Sequence, residues 1–327
     1  MKKPPAPLEI PPAYLPPLPS WIALKQVQTT ETETFLSGAS LAMLHMLLVD
    51  TSETLPADLL RNRLALRAAE ACLKLEGRRD AEAEIRDAYY LTHPDDAPCP
   101  ANTISGMGPA GEMYARWRKA SAIGLKRADW LARLKACVPE YVADELPEWV
   151  DAVGKGDPAA AGSPVAQAAR MIGLMISTFP REEAAALICG DVVLARALGW
   201  AYPMPLLGVH FKRRDLGPSG DDLTLACHRA VALGAQDAVR LAHDLMRRAL
   251  RLRAVALKLR AKGSAEAVAL FLREDAVLPS TMLSPRIQGT STPMSGRAAR
   301  RLCDRLVELG VVKELTGRNT FRLYGVA

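Results

Sequence analysis

Hydrophobic and polar positions alternate with a helical period in the first part of the chain. Leu59, Leu66 and Leu73 recur at seven-residue spacing between Pro56, which suits a helix start, and Gly77, which ends the pattern. Comparable periodic stretches predict helices at 81–91, 109–123, 127–137, 164–178, 181–198, 221–262 and 265–274. No strand pair is indicated before residue 310, so a mainly helical body is predicted.

Three other stretches depart from this amphipathic pattern. Residues 35–49 are small and apolar throughout, which predicts a helix buried on most sides. Residues 201–221 are rich in proline, glycine and charge, which indicates a boundary inside the helical body. The first twenty residues contain eight prolines, which favour extended backbone and predict an N-terminal arm that packs as a strap.

The pattern between residues 296 and 310 predicts a short, strongly amphipathic helix. Placed on a helix, one side is apolar and carries Ala298, Ala299, Leu302, Cys303, Leu306 and Leu309. The other side is polar and carries Arg297, Arg300, Arg301, Asp304, Arg305 and Glu308. Ser295 can cap the first turn, and Gly310 suits the position after the last turn.

A hairpin is predicted directly after this helix. Phe321 and Leu323 alternate with Arg322 and Tyr324, which predicts one apolar and one polar face. Residues 316–319 accept turn geometry and place Arg318 at the tip. A helix followed by two strands is typical of the C-terminal half of a winged helix. The predicted organisation is therefore a proline-rich arm at 1–30, a helical body at 31–262 and a winged-helix domain at 263–327.

Charge is distributed unevenly along the 327 residues, although the net charge is only +6. Residues 237–262 carry +6 and residues 286–327 carry +5, whereas residues 1–236 carry −3. A basic C-terminal quarter on an acidic body indicates contact with a polyanion. No apolar run suggests a membrane span or a secretory signal, so a cytoplasmic protein without membrane contact is expected.

Residues that could carry catalysis or bind a metal are scattered. Six cysteines lie far apart, which favours small buried side chains over disulfides. Five histidines show no metal-ligand spacing, so neither a metal nor another cofactor is expected. His93, near Asp95, Asp96 and Cys99, is the closest approach to a reactive group. Its setting between prolines favours a capped turn, and an enzyme is not expected.

Several strings of the chain resemble one bacterial family. They are 297–310, 314–318 and 321–325 at the C-terminus, with Arg63-Leu-Ala-Leu-Arg-Ala-Ala, Glu84-Ile-Arg-Asp-Ala and Leu259-Arg-Ala-Lys-Gly263 upstream. From about residue 18 onward, the chain resembles domain-of-unknown-function family 1403, which is mostly alphaproteobacterial and often plasmid-borne. The resemblance implies no activity and no catalytic residues. The C-terminus is also similar to winged-helix ends of other plasmid-associated proteins.

These observations predict a non-enzymatic protein that binds double-stranded DNA in replicon maintenance or transcriptional control. The residues expected to contact DNA are Arg297, Arg300, Arg301, Arg305, Arg318 and Arg322. Arg247, Arg248 and Arg251 would extend the basic track. One alternative is an interaction scaffold, whose winged helix docks a partner protein and whose arm straps a homodimer together. Another is a helical enzyme that uses the loop between His93 and Cys99.

Overall fold

A computed structural model describes residues 18–23, 29–50, 54–91, 106–154, 162–217, 219–259, 262–317 and 321–327. Most of the proline-rich arm, the loop between His93 and Cys99, and Arg318 lie outside these residues. The thirteen α-helices of the described part are α1 Ser20–Ala23, α2 Thr30–Asp50, α3 Ala57–Leu75, α4 Glu82–Tyr90, α5 Gly108–Ser121, α6 Trp130–Lys135, α7 Glu140–Gly154, α8 Pro164–Thr178, α9 Glu183–Ala197, α10 Leu207–His210, α11 Asp221–Ala256, α12 Ser264–Phe271 and α13 Gly296–Glu308. A 3₁₀ turn, Arg213–Asp215, and a π turn, Pro279–Leu283, interrupt the order.

The mainly helical architecture predicted from the pattern is confirmed. The 36-residue α11 is the central element and packs against α2, α8, α10 and α12. A second layer joins α3 to α4, α5 and α10, and α8 packs on α9. One continuous hydrophobic core extends through the body into the C-terminal segment.

The heptad spacing in α3 produces the buried face that it predicts. Leu59, Leu66 and Leu73 are each at most 1% exposed. The helix begins after Pro56, and Gly77 adopts a φ of +82° beyond its end, a conformation that glycine reaches without strain. The free thiols of the five described cysteines are also buried, as predicted.

The prediction for residues 35–49 is wrong in one respect. They form most of α2, but only one side of this helix is buried, against α11. Phe35, Met46 and Val49 are 58%, 56% and 58% exposed. Among the described residues, α11 covers only part of this apolar helix, so the remaining apolar side chains stay exposed.

The predicted boundary at 201–221 is also wrong, because residues 203–208 are buried in the core. The Asp191 carboxylate of α9 accepts hydrogen bonds from the backbone N–H groups of Leu206, Leu207 and Gly208. A Cβ on Gly208 would lie 2.4 Å from the Trp117 ring, so α10 approaches α5 as closely as glycine allows. Residues 203–208 therefore belong to the core, whereas the charged residues 212–214 of this stretch are exposed.

The sequence pattern did not indicate α7, because Pro147 interrupts its helical period. Val142, Leu146, Trp149 and Val153 nevertheless bury one face of this helix, which packs against α6 and α8. Tertiary packing here outweighs the cost of an internal proline.

The C-terminal segment ends in a two-stranded antiparallel hairpin, β1 Val312–Glu314 and β2 Tyr324–Val326. Val277 forms an isolated antiparallel bridge with Tyr324, which the sequence pattern did not indicate. The order in this segment is α12, the bridging Val277, the π turn, α13 and the hairpin.

One described helix is long and apolar enough to cross a membrane by length and composition, whereas the sequence pattern indicated none. This helix is α2, with a mean hydropathy of 1.3 over its most apolar window, of which 33% is buried.

Candidate nucleic-acid interface

The helix α13 forms as its amphipathic pattern predicts. The Ser295 side chain accepts a hydrogen bond from the Ala298 N–H and caps the first turn. Gly310 has a φ of +67° and releases the chain into β1. The buried side of α13 consists of Ala299, Leu302, Cys303 and Leu306. Ala298 and Leu309 were also predicted on that side, but both are exposed, because they lie together at one edge of it.

The arginine face of α13 is exposed to solvent. Arg297, Arg300, Arg301 and Arg305 are all exposed, as are Asp304 and Glu308 beside them. Within the described part of the chain, only Arg305 of these four forms an ion pair, with Glu308 at 2.8 Å. Three guanidinium groups therefore project from one rigid surface without a neutralising carboxylate among the described residues.

A groove of about 510 Å³ lies between α13 and the end of α11. Arg297, Arg301 and Arg305 line one side, and Lys258, which follows the last turn of α11, lines the other. Ser295 also lines this groove, so the capped N-terminus of α13 opens into it. Four cations beside the positive end of a helix dipole form a site that attracts anions.

The surface of α11 continues this basic groove. Arg247 and Arg251 are four residues apart, which places them on one side of α11, and Lys258 follows the end of that helix. Arg247 and Arg248 both pair with Asp244, at 3.4 and 2.7 Å. Arg251 is exposed and forms no ion pair within the described part of the chain. The predicted auxiliary track is therefore partly neutralised at its far end and unneutralised nearest the groove.

In the described part of the hairpin, Arg322 has an acidic neighbour. Arg322 lies 3.7 Å from Glu314 on the adjacent strand, and its pKa is raised by a hydrogen bond with Tyr324 and by that carboxylate. A smaller hollow of about 370 Å³ joins Arg300 and Asp304 of α13 to Arg322 and Phe321.

The predicted facial alternation in the hairpin is wrong. Phe321 is 52% exposed with a φ of 54°, whereas Leu323 and Tyr324 are both buried. The second strand begins only at Tyr324, and residues 323–326 are all buried, so buried and exposed positions do not alternate there.

A buried ion-pair network attaches the C-terminal segment to the body. Glu274 and Asp275, which follow α12, are 6% and 2% exposed. The Asp275 carboxylate forms two ion pairs: one oxygen lies 3.2 Å from Nε of Arg63 in α3, and the other lies 2.6 Å from Nε of Arg86 in α4. The Glu274 carboxylate forms an ion pair with Arg118 of α5, with 2.5 Å between Oε2 and Nη2.

Further hydrogen bonds reinforce this network. Arg63 also donates to the Val326 carbonyl at 3.1 Å, and Asn62 donates to the Arg273 carbonyl at 2.8 Å. Burial lowers the pKa of Arg118, but the tyrosines around it and Glu274 outweigh that effect, so its pKa is raised. The Arg118 guanidinium therefore stays charged, and the network ties residues 273–275 and the end of β2 to the body.

The family model for proteins of unknown function DUF1403 matches residues 11–326. The chain belongs to this family. No curated protein matches the chain. Arg63 and Arg86, which occur in the strings that resemble DUF1403, are the residues that hold Asp275.

Two other polar pairs in this DUF1403 protein each join a histidine to a neighbouring side chain. His210 Nε2 lies 2.9 Å from Asp237 Oδ2 at the edge of a cleft of about 560 Å³. Ser37 Oγ lies 2.6 Å from His228 Nδ1, but both residues are buried between α2 and α11. Burial lowers the pKa of His228, which favours its neutral form.

Sequence reasoning predicted the exposed side of α13 that carries the arginines, but it predicted neither the position of Lys258 nor the groove. Lys258 is 39 positions before Arg297, and only the packing of α11 beside α13 brings them together. The available signal was the shared basic charge of residues 237–262 and 286–327. That signal predicts a common partner but not a common surface.

Proposed function

We propose that this protein is a non-enzymatic DNA-binding protein that acts through a winged-helix module formed by residues 263–327. The observation that carries this proposal is the exposed arginine face of α13, three of whose guanidinium groups are unneutralised within the described part of the chain. An amphipathic helix that buries its apolar side and exposes arginines can enter the major groove of DNA.

The order of elements supports the winged-helix proposal. In this interpretation α12 is the first helix, Val277 the first strand, the π turn the shortened second helix and α13 the recognition helix. The hairpin then forms the wing, and Val277, bridged to Tyr324, takes the position of a third strand beside β2. Arg318 would lie at the wing tip, close to the flanking DNA backbone.

The arginines and the groove have different proposed roles. Arg300 and Arg301, in the second turn, would contact base edges, because an arginine fork matches the acceptors of guanine. Lys258, Arg297 and Arg305 would contact phosphates along the groove, with Arg251 and Arg247 extending that track. Phosphate contacts set orientation and most of the affinity, whereas base contacts give specificity.

The proposal is tested by titrating the purified protein with labelled duplex DNA at several salt concentrations. We expect the logarithm of the association constant to fall by about 0.9 per phosphate contact for each tenfold increase in salt. The double variant Arg297→Ala/Arg301→Ala should bind more weakly. Its slope should be shallower by about 0.9, because Arg297 contacts a phosphate whereas Arg301 contacts a base edge.

A matched control separates local contacts from net charge. The double variant Arg127→Ala/Arg133→Ala removes the same charge from two exposed arginines that pair with Asp129 on the body. It should bind DNA as the wild type does. Equal loss of affinity in both double variants, or no binding of wild type at low salt, would contradict the DNA proposal.

A second candidate is an interaction scaffold whose C-terminal module docks a partner protein. Val307 and Leu309 at the end of α13 are each 38% exposed, and Phe321 is 52% exposed, so part of this surface is apolar. Protein docking through these residues would depend weakly on salt. It would be lost on Val307→Glu, and it would survive replacement of the arginines.

A further inference from the structure

The outward side of α2 is apolar and carries no charge. No Asp, Glu, Lys or Arg occurs between Thr34 and Val49. Phe35, Met46 and Val49 are more than half exposed, and Gly38 and Ala42 between them are exposed as well. A contiguous apolar surface of this kind commonly marks a site of association.

The spacing of these residues is symmetric about Ala42. Phe35, Gly38, Ala42, Met46 and Val49 are separated by three, four, four and three positions. If a second α2 lies antiparallel with Ala42 on the two-fold axis, Phe35 faces Val49 of the second copy. Met46 then faces Gly38 of the second copy, so a long side chain meets the smallest one.

The surface at Gly38 has room for that side chain. A Cβ built on Gly38 would meet no atom within 4 Å, so the space above the glycine is open. Methionine is flexible and fills irregular gaps, and the small Ala42 allows two helices to approach closely at the axis. The surface is thus complementary to its own copy, as a two-fold interface requires.

We propose that this chain forms a two-fold homodimer through antiparallel packing of the outward side of α2 against α2 of a second copy. Positions 34–49 bring no charged pair together in this register, but Asp50 faces Thr34 of the second copy, next to Glu33, and this repulsion at the helix ends weakens the dimer. The proposal concerns a surface remote in sequence from α13 and does not depend on the proposed DNA binding.

The exposed area sets the strength of the dimer. Trp21 stacks on Phe35 at 5.4 Å between ring centroids, and it is 42% exposed. Because an aromatic side chain has roughly 150–250 Å² of surface, these two rings present on the order of 200 Å² per copy. Met46 and Val49 add a comparable amount, which gives about half of the ~800 Å² per partner of a standard interface. The dimer is therefore weak and concentration-dependent.

The buried side of α2 favours a protein partner over a lipid bilayer. Ser37 hydrogen-bonds to His228, and Glu33 pairs with Arg229 at 3.4 Å, both across the contact with α11. Insertion of α2 into a membrane would separate these buried polar pairs, whereas dimerisation leaves them in place.

Sedimentation velocity from nanomolar to high micromolar protein, without DNA, tests the proposal. Wild type should pass from monomer to dimer. Ala42→Glu, which places two carboxylates at the axis, should remain monomeric with an unchanged circular dichroism spectrum. Leu257→Glu adds the same charge at a 91% exposed apolar position at the end of α11 and should still dimerise.

The register is tested by disulfide crosslinking with diamide. The Cys99→Ser variant serves as the background, because the other five cysteines are buried. Ala42→Cys should crosslink rapidly, because the two copies meet there. Phe35→Cys should not, because the two positions are roughly 21 Å apart along the helices. A wild type that stays monomeric, a dimer that survives Ala42→Glu, or equal crosslinking at both positions would overturn the proposal. Binding to phosphatidylcholine vesicles in place of self-association would also overturn it and favour a lipid contact.

Discussion

Arg86 Nε donates to Asp275 Oδ2 across 2.6 Å, and this contact joins α4 to the segment that follows α12. The two residues are 189 positions apart, and Asp275 is only 2% exposed. Arg63 donates to the other oxygen of the same carboxylate at 3.2 Å. One buried acid therefore links three parts of the chain.

Replacement of Asp275 with alanine should strongly destabilise the protein. Loss of one partner leaves Arg63 and Arg86 charged and largely buried, which costs about 3–5 kcal/mol. Urea unfolding followed by circular dichroism measures the loss. Asp129→Ala, which also removes an acid paired with two arginines but at the surface, should have a much smaller effect. Similar losses in both variants would argue against a structural role for the network.

Gly234→Ala should also destabilise the protein, although alanine favours a helix. A Cβ on Gly234 of α11 would lie 2.5 Å from the Leu206 carbonyl oxygen, and backbone on both sides prevents easy relief. Overpacking of this kind costs about 1–3 kcal/mol. Gly173→Ala is the matched control, because its Cβ would meet only the Leu223 Cδ2 methyl at 3.4 Å. That control should be neutral or stabilise by up to ~1 kcal/mol in thermal unfolding.

The Asp191 carboxyl should make stability depend on pH. Burial raises its pKa to about 7, despite three backbone N–H donors. In the unfolded chain an aspartate titrates near 3.9, so between these values the folded protein binds the extra proton. This contribution is complete below about pH 4 and is lost as pH rises through 7.

Asp191→Asn should remove this part of the pH dependence. Urea unfolding at pH 5, 6, 7 and 8 would show a flatter profile than that of wild type. In the wild type this group lowers the free energy of unfolding by on the order of 1 kcal/mol for each unit that the pH rises between about 4 and 7. Parallel profiles would contradict the shifted pKa. The asparagine also loses an acceptor for the α10 backbone, which lowers stability at every pH and leaves the slope unaffected.

Ser295→Ala should loosen the first turn of α13. The variant loses the side-chain acceptor for the Ala298 N–H, and loss of an N-cap costs about 1 kcal/mol. Hydrogen exchange should become faster in residues 297–299 and remain unchanged in α9. Ser177→Ala is the control, because the Ser177 hydroxyl only donates to the Leu174 carbonyl within α8. Unchanged exchange at the start of α13 would show that the cap does not hold this turn.

The sequence predicted α13 well because all of its signals are local. Ser295, Gly310 and the arginine periodicity lie within sixteen residues and act on the same helix. The helical character of α2 was equally local, but its exposure was not, because periodicity shows which residues are apolar and not whether a neighbour covers them. The groove at Lys258 and the bridge from Val277 to Tyr324 depend on contacts between distant segments, which the pattern does not encode.

The buried carboxylates of Glu274 and Asp275 determine how the protein responds to truncation. A fragment that begins at residue 263 would expose both carboxylates, and the remaining body would keep Arg63, Arg86 and Arg118 inside without their acids. Neither piece could regain the other's charges except by reassembly. Truncation would thus test these ion pairs more than any activity of the terminal helix. Co-expression of the two pieces should restore the folded protein that separate expression loses.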